Sequence, residues 1–178
     1  RQMCIRDRME EVYTTPKPGL VDREDTGAHT DMNCQTFQKS TEAIAEDLAA
    51  MFEAGYSWEA DPKTLFPLLR ERGKKTEEKM FVATGGVNTH KGIIFTIGIL
   101  AAAAGISLRN YGKIESEDVC RISLEMTKKE LEQDLRKLKQ SSGITHGEKI
   151  YCHLGEKGVR GLAMSGYPIL CERTVPHM

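Results

Sequence analysis

Residues 83–105, ATGGVNTHKGIIFTIGILAAAAG, set a polar, glycine-marked segment directly before an apolar run. The polar part holds Thr84, Gly85, Gly86, Asn88, Thr89, His90, Lys91 and Gly92; the apolar run, 93–106, is interrupted only by Thr96, Gly98 and Gly105. At about 14 residues the run falls short of the roughly 20 that cross a bilayer. Its apolar side chains lie on every side of a helix, which predicts a buried central helix at about 92–105. Such a helix still has unpaired N–H groups in its first turn, where partial positive charge favours phosphate. That turn coincides with Asn, Thr, His and Lys side chains and with a glycine pair that lets a ligand approach the backbone.

The rest of the chain reads as helices too. Residues 34–54 carry Phe37, Ile44, Leu48, Met51 and Phe52 at three- and four-residue steps, with Asp31 or Asn33 suited to cap the start and Gly55 to stop the end. Asp61-Pro62 predicts a cap followed by a first-turn proline, then a helix with Leu65, Leu68 and Leu69 that Gly73 breaks or ends. Residues 74–82 form a further helix ending at Gly85-Gly86. From Ser116 a longer one places Val119, Ile122, Met126, Leu131, Leu135 and Leu138 on one side and a charged, solvated face on the other. Thr145 to Glu148 fits a capping box for another. No useful period-2 stretch and no repeat occurs. The expectation is an all-α, multi-helix bundle of about six helices in a single domain over 9–168. Residues 1–8 and the tail after Pro168 fit no pattern and are set outside that fold.

The totals narrow the chemistry. The 178 residues are 39% hydrophobic and 6% aromatic, so the core is aliphatic. A net charge of −1 gives no general attraction to nucleic acid or anionic membrane, so any polyanionic ligand depends on local cations. Five scattered cysteines without a CxxC pair support neither zinc nor a disulfide framework and suggest a reducing cytoplasm. No signal peptide or membrane span is read.

Residues 15–19, Thr-Pro-Lys-Pro-Gly, form a stiff extended or turn segment. Asp22, Arg23, Glu24, Asp25, His29, Asp31 and Asn33 follow, dense in acid/base and metal-competent groups; a solvated loop with capping residues is the plainer reading of them. Residues 85–91 are not a Walker loop, because His90 stands where its second glycine belongs. HExxH and GxSxG are absent. There remain the carboxylates Asp22 and Asp31, the histidines His29 and His90, and the cations Lys17, Arg23 and Lys91. Carboxylates suit Mg²⁺ carried on phosphates, and Lys with a helix N-terminus suits the phosphates. The residues alone support a helical Mg²⁺-nucleotide domain and no specific reaction.

Three phrases go further. TPKPGLVDREDTGAHTDM (15–32), the 83–105 stretch and THGEKIYCHLGEKGVRGLAMSGYP (145–168) resemble the triphosphoribosyl-dephospho-CoA synthase family, which serves citrate lyase and, in a related branch, malonate decarboxylase. The resemblance implies an all-α enzyme that joins ATP to 3′-dephospho-CoA and releases adenine. Its chemistry requires a base for the attacking hydroxyl, support for an oxocarbenium-like sugar and a clamp on the triphosphate. On matching positions, Asp22 and Asp31 are assigned to Mg²⁺ or to base and cation-stabilising roles, with His29 as alternative base. Lys17, Gly85, Gly86, Asn88, Thr89, His90, Lys91 and Arg160 are assigned to the nucleotide, and His146 and Glu148 to the same cleft. Family members continue past the GYP segment, so the resemblance implies a C-terminal truncation whose exposed faces favour self-association. It leaves two alternatives: a non-catalytic fragment that binds nucleotide or docks on a partner, and a Mg²⁺-dependent nucleotide hydrolase.

Overall fold

The computed structural model describes residues 10–138 and 146–170. Among these, six α-helices follow in order: α1 (Cys34–Tyr56), α2 (Phe66–Thr84), α3 (Lys91–Tyr111), α4 (Ser116–Leu138), α5 (His146–Leu154) and α6 (Gly158–Met164). A 3-10 turn, Pro62–Thr64, precedes α2, and no strand occurs among the described residues, so the all-α expectation holds. The chain packs as two compact units, with α1, α2 and α3 each divided between them. The first holds the described chain up to Ala50 with Glu71–Ile94; the second holds Met51–Arg70 and the chain from Phe95 onward.

In the first unit, α1 starts on a reciprocal cap. Thr36 N–H donates to Asn33 Oδ1 at 3.0 Å and Asn33 N–H donates to Thr36 Oγ1 at 3.3 Å. Asn33 is thus the cap, as its position suggests. Ile44, Met80 and Ile94 form the buried core here, with Leu48 and Phe81 against them. α2 closes on the glycine pair. Gly85 and Gly86 both have positive φ, and Gly86 N–H donates back to the Phe81 carbonyl at 2.8 Å. That pattern is a helix C-cap, and it explains both glycines without a ligand.

In the second unit, Asp61 caps the 3-10 turn by accepting from Lys63 N–H, with Pro62 following as expected. Leu65, Phe66 and Leu69 are buried, whereas Leu68 is exposed. α4 buries Cys120, Ile122, Met126, Leu131 and Leu135 and matches its ends to its dipole, with Glu117 and Asp118 first and Arg136 and Lys137 last. It packs on the 3-10 turn and on α6, where Thr127 Oγ1 donates to the Ala163 carbonyl at 3.3 Å. Cys120 is disulfide-bonded, while Cys34 and Cys152 keep their thiols. The position of Cys120 in the sequence, remote from any other cysteine, held no sign of this.

Three helix boundaries differ from expectation. α2 runs unbroken through Gly73, because a lone interior glycine weakens a helix by only about 1 kcal/mol and flanking packing holds it. α3 continues to Tyr111, and at 21 residues it is the one helix among those described that is long and apolar enough to cross a membrane. Ile94, Ile99, Ala102, Ala103 and Ile106 are nevertheless buried in protein. α1 passes through Gly55, which does not stop it. A Cβ on Gly55 would strike the Ala102 carbonyl of α3, and one on Gly105 would strike the Phe52 carbonyl of α1. The two backbones touch, and Gly98 makes similar room for Met51 Sδ, 2.5 Å from an added Cβ.

These glycines predict opposite outcomes. Gly105→Ala should destabilise by about 1–3 kcal/mol, since backbone must shift to admit the methyl. Gly73→Ala meets nothing within 4 Å and should stabilise by about 0.5–1 kcal/mol. Urea denaturation followed by circular dichroism reads both signs.

Candidate functional site

The candidate residues of the first unit lie in two segments, 15–31 and 84–91. In the first, Asp22 is a hub buried by its own loop. Its Oδ1 accepts the N–H groups of Glu24 and Asp25, each at 2.8 Å, and its Oδ2 accepts that of Lys17 at 2.9 Å. Its own N–H donates to the Asp25 carbonyl at 2.8 Å. The Asp25 N–H, then that of Glu24, holds the carboxyl below its ordinary value; burial opposes them, and the Lys17 N–H and Thr15 hydroxyl add to the lowering. A carboxylate bonded in this way is a weak base with little capacity left for a cation. Asp22 therefore organises the loop, which corrects its assignment to proton transfer and Mg²⁺. Lys17, the residue it holds, turns its ammonium to the Glu11 carbonyl at 2.8 Å and to Glu11 Oε1 at 2.9 Å.

His29 and Asp31 are exposed and adjacent, with Nδ1 3.7 Å from Asp31 Oδ1. Both side chains are open to solvent. Arg23 lies over the Tyr13 ring at 4.3 Å, and Tyr13 OH donates to Gln38 of α1 at 3.4 Å. Among the described residues no group of three or more His, Cys, Asp or Glu forms a metal-holding cluster. Metal at this site would have to arrive on phosphate and meet one or two carboxylates, which exposed Asp31 fits and Asp22 does not.

The second segment leads into α3. Asn88 Oδ1 accepts the Lys91 N–H at 3.3 Å, and the His90 carbonyl accepts the Ile94 N–H at 2.8 Å, the first bond of the helix. Thr89 Oγ1 donates to Ser40 Oγ at 2.6 Å, and Ser40 Oγ lies 2.6 Å from His90 Nδ1. His90 is 1% exposed, edge-on to Phe37 with ring centroids 5.2 Å apart. Its N–H points to Met80 Sδ at 3.2 Å. The ring belongs to the interior, so His90 supports the loop from within, which corrects its assignment as a phosphate contact. Lys91 Nζ lies 2.9 Å from Glu77 Oε2, at the first position of α3. Gly85 and Gly86 sit before this turn and serve the α2 cap instead of the nucleotide.

In the second unit, Arg160 Nη2 lies 3.1 Å from Glu148 Oε1, both partly covered. This joins α6 to the first turn of α5. His146 begins α5. Its side chain and the capping box from Thr145 lie outside the described residues.

Three of the cations the sequence singles out are thus held by a glutamate: Lys17 by Glu11, Lys91 by Glu77, Arg160 by Glu148. Glu11, Glu77 and Ser40 escape motif reading. Ser40 alone left a signal: it occupies the register of Phe37, Ile44 and Leu48, a polar residue on an apolar face.

Comparison with known proteins adds the following. The family model described as ATP:dephospho-CoA triphosphoribosyl transferase matches residues 8–178, past Pro168 and through the tail. A probable 2-(5''-triphosphoribosyl)-3'-dephosphocoenzyme-A synthase of Streptococcus pyogenes serotype M3 (strain ATCC BAA-595 / MGAS315) is 37% identical over 187 residues, which cover 99% of this chain and 64% of the relative. The serotype M1 protein of the same description is 37% identical over the same coverage. The chain therefore spans less than two thirds of these relatives' length. No solved structure matches it.

The Asp22 geometry carries a signed pH dependence. The fold favours the ionised carboxyl, so its contribution is fully present above the unfolded value near 3.8 and is lost as pH falls through the lower folded value. Asp22→Asn should melt below wild type at neutral pH, with the gap closing in acid. Melting temperature against pH for both proteins checks this, and a gap that stays constant with pH would show that charge plays no part.

Proposed function

Because the chain belongs to the ATP:dephospho-CoA triphosphoribosyl transferase family, we propose that it carries the site that joins ATP to 3′-dephospho-CoA with release of adenine. The observation that carries this reading is the match over residues 8–178, which takes in all three motif stretches. The relatives described as synthases for this product agree with it.

The reaction moves a ribose from a nitrogen to an oxygen. The 2′-hydroxyl of dephospho-CoA attacks C1 of the ATP ribose, the bond from C1 to adenine breaks, and the hydroxyl proton leaves to a base. Exposed His29, or Asp31 beside it, takes that proton in this proposal. Where His29 takes it, the Asp31 carboxylate neutralises the protonated histidine or stabilises positive charge that develops on the sugar. Lys91 and the free N–H groups of the first turn of α3 take the triphosphate. Lys91 reaches phosphate by leaving Glu77, an exchange between two anions that costs little at a solvated site. Asn88 and Thr89 flank it, and Lys17 is the further cation of this unit. Mg²⁺, brought by ATP, offsets phosphate charge when bound. Exposed apolar residues Leu154, Val159, Leu162 and Ile169 support self-association. ATP and dephospho-CoA as substrates favour a cytoplasmic setting.

Two substitutions test these roles. Asp31→Asn should lower turnover by about 10²-fold or more with an unchanged far-UV spectrum; a variant as active as wild type removes Asp31 from the mechanism. Lys91→Ala should weaken ATP binding about tenfold, while its ion pair with Glu77, being partly exposed, changes stability by less than about 1 kcal/mol. Isothermal calorimetry against ATP decides this, and equal affinities would sink the phosphate role.

A further inference from the structure

We infer that Ser40 is a positioning residue for loop 88–91, acting through Thr89 and His90; the inference rests on the reading of that loop as the phosphate grip. Ser40 is 0% exposed and stands on α1, outside the loop it serves. One hydroxyl meets two consecutive loop residues, Thr89 Oγ1 and His90 Nδ1, each at 2.6 Å. A serine hydroxyl has a single proton. Thr89 donates to Ser40 Oγ, which leaves that oxygen one proton and one acceptor site for its bond to His90 Nδ1.

This fixes the loop from within. Phe37 holds the ring edge and Met80 receives the His90 N–H, so α1 and α2 both locate His90. The His90 carbonyl starts α3, and its neighbours Asn88 and Lys91 are joined by the Asn88 Oδ1 bond. Removing the Ser40 hydroxyl leaves the apolar contacts in place while freeing the Thr89 rotamer and the His90 ring. The predicted effect is on the geometry of the groups that meet phosphate, beyond any loss of stability.

The test combines ¹⁵N-histidine NMR with calorimetry against Mg-ATP on wild type, Ser40→Ala and Ser40→Thr. Wild-type His90 should show a single fixed tautomer with Nδ1 in a hydrogen bond. Ser40→Ala should shift its ring nitrogens and weaken Mg-ATP about tenfold while the far-UV spectrum stays helical. Ser40→Thr, which keeps the hydroxyl, should restore both readouts. Wild-type ring nitrogens averaged between the two tautomers, a measurement that needs no variant, overturn the inference. So does a folded Ser40→Ala that binds Mg-ATP within twofold of wild type, and in that case the phosphate reading of the loop survives. A wild type that binds no Mg-ATP overturns the phosphate reading, and the positioning role falls with it.

Discussion

The first N–H groups of a helix have no acceptors within it, and burying that end beside apolar side chains makes them costly to leave unmet. α3 begins under this constraint. Asn88 takes the Lys91 N–H, the His90 carbonyl takes that of Ile94, and His90 is itself held by Ser40, Phe37 and Met80. The polar residues before α3 are therefore needed by the fold before any ligand is considered. The same arrangement leaves Lys91 and the outer N–H groups at the end of a helix whose dipole favours an anion. Structure and binding draw on one set of residues, which is why the most polar segment of the chain borders its most apolar one.

A second constraint acts further along the same helix. α3 and α1 meet backbone to backbone at Gly55 and Gly105, and Met51 fills the space over Gly98. Side chains as small as alanine do not fit at the two backbone contacts. Helices in contact at this distance interlock, so part of an apolar surface that by composition would suit lipid is covered by protein.

Helix class and helix order were legible in the sequence, because apolar spacing survives tertiary packing: the registers of α1 and α4 appear as read, and Asn33 and Asp61 cap as their positions suggest. The roles of glycine were not legible. Gly55, Gly73 and Gly85 look alike in sequence, yet one is a contact, one is tolerated and one ends a helix. What separates them is the neighbour each meets. The same holds for charge. Asp22 reads as an acid/base candidate, but three main-chain N–H groups bind its carboxylate once the loop turns back on it. Lys17, Lys91 and Arg160 read as cations open to phosphate, and each lies against a glutamate at a sequence distance no motif encodes. His29 and Asp31 are exposed and their contact is local.

The proposed reading gives loop 88–91 the phosphate and the His29–Asp31 pair the proton. The chain covers 64% of its relatives' length, so whether these groups suffice for the complete reaction is the central question. Adenine release, followed by chromatography with ATP, Mg²⁺ and 3′-dephospho-CoA each omitted in turn, answers it most directly. The account predicts adenine only when all three are present. Adenine in the absence of dephospho-CoA, or none from a well-folded sample with all three present, would contradict it.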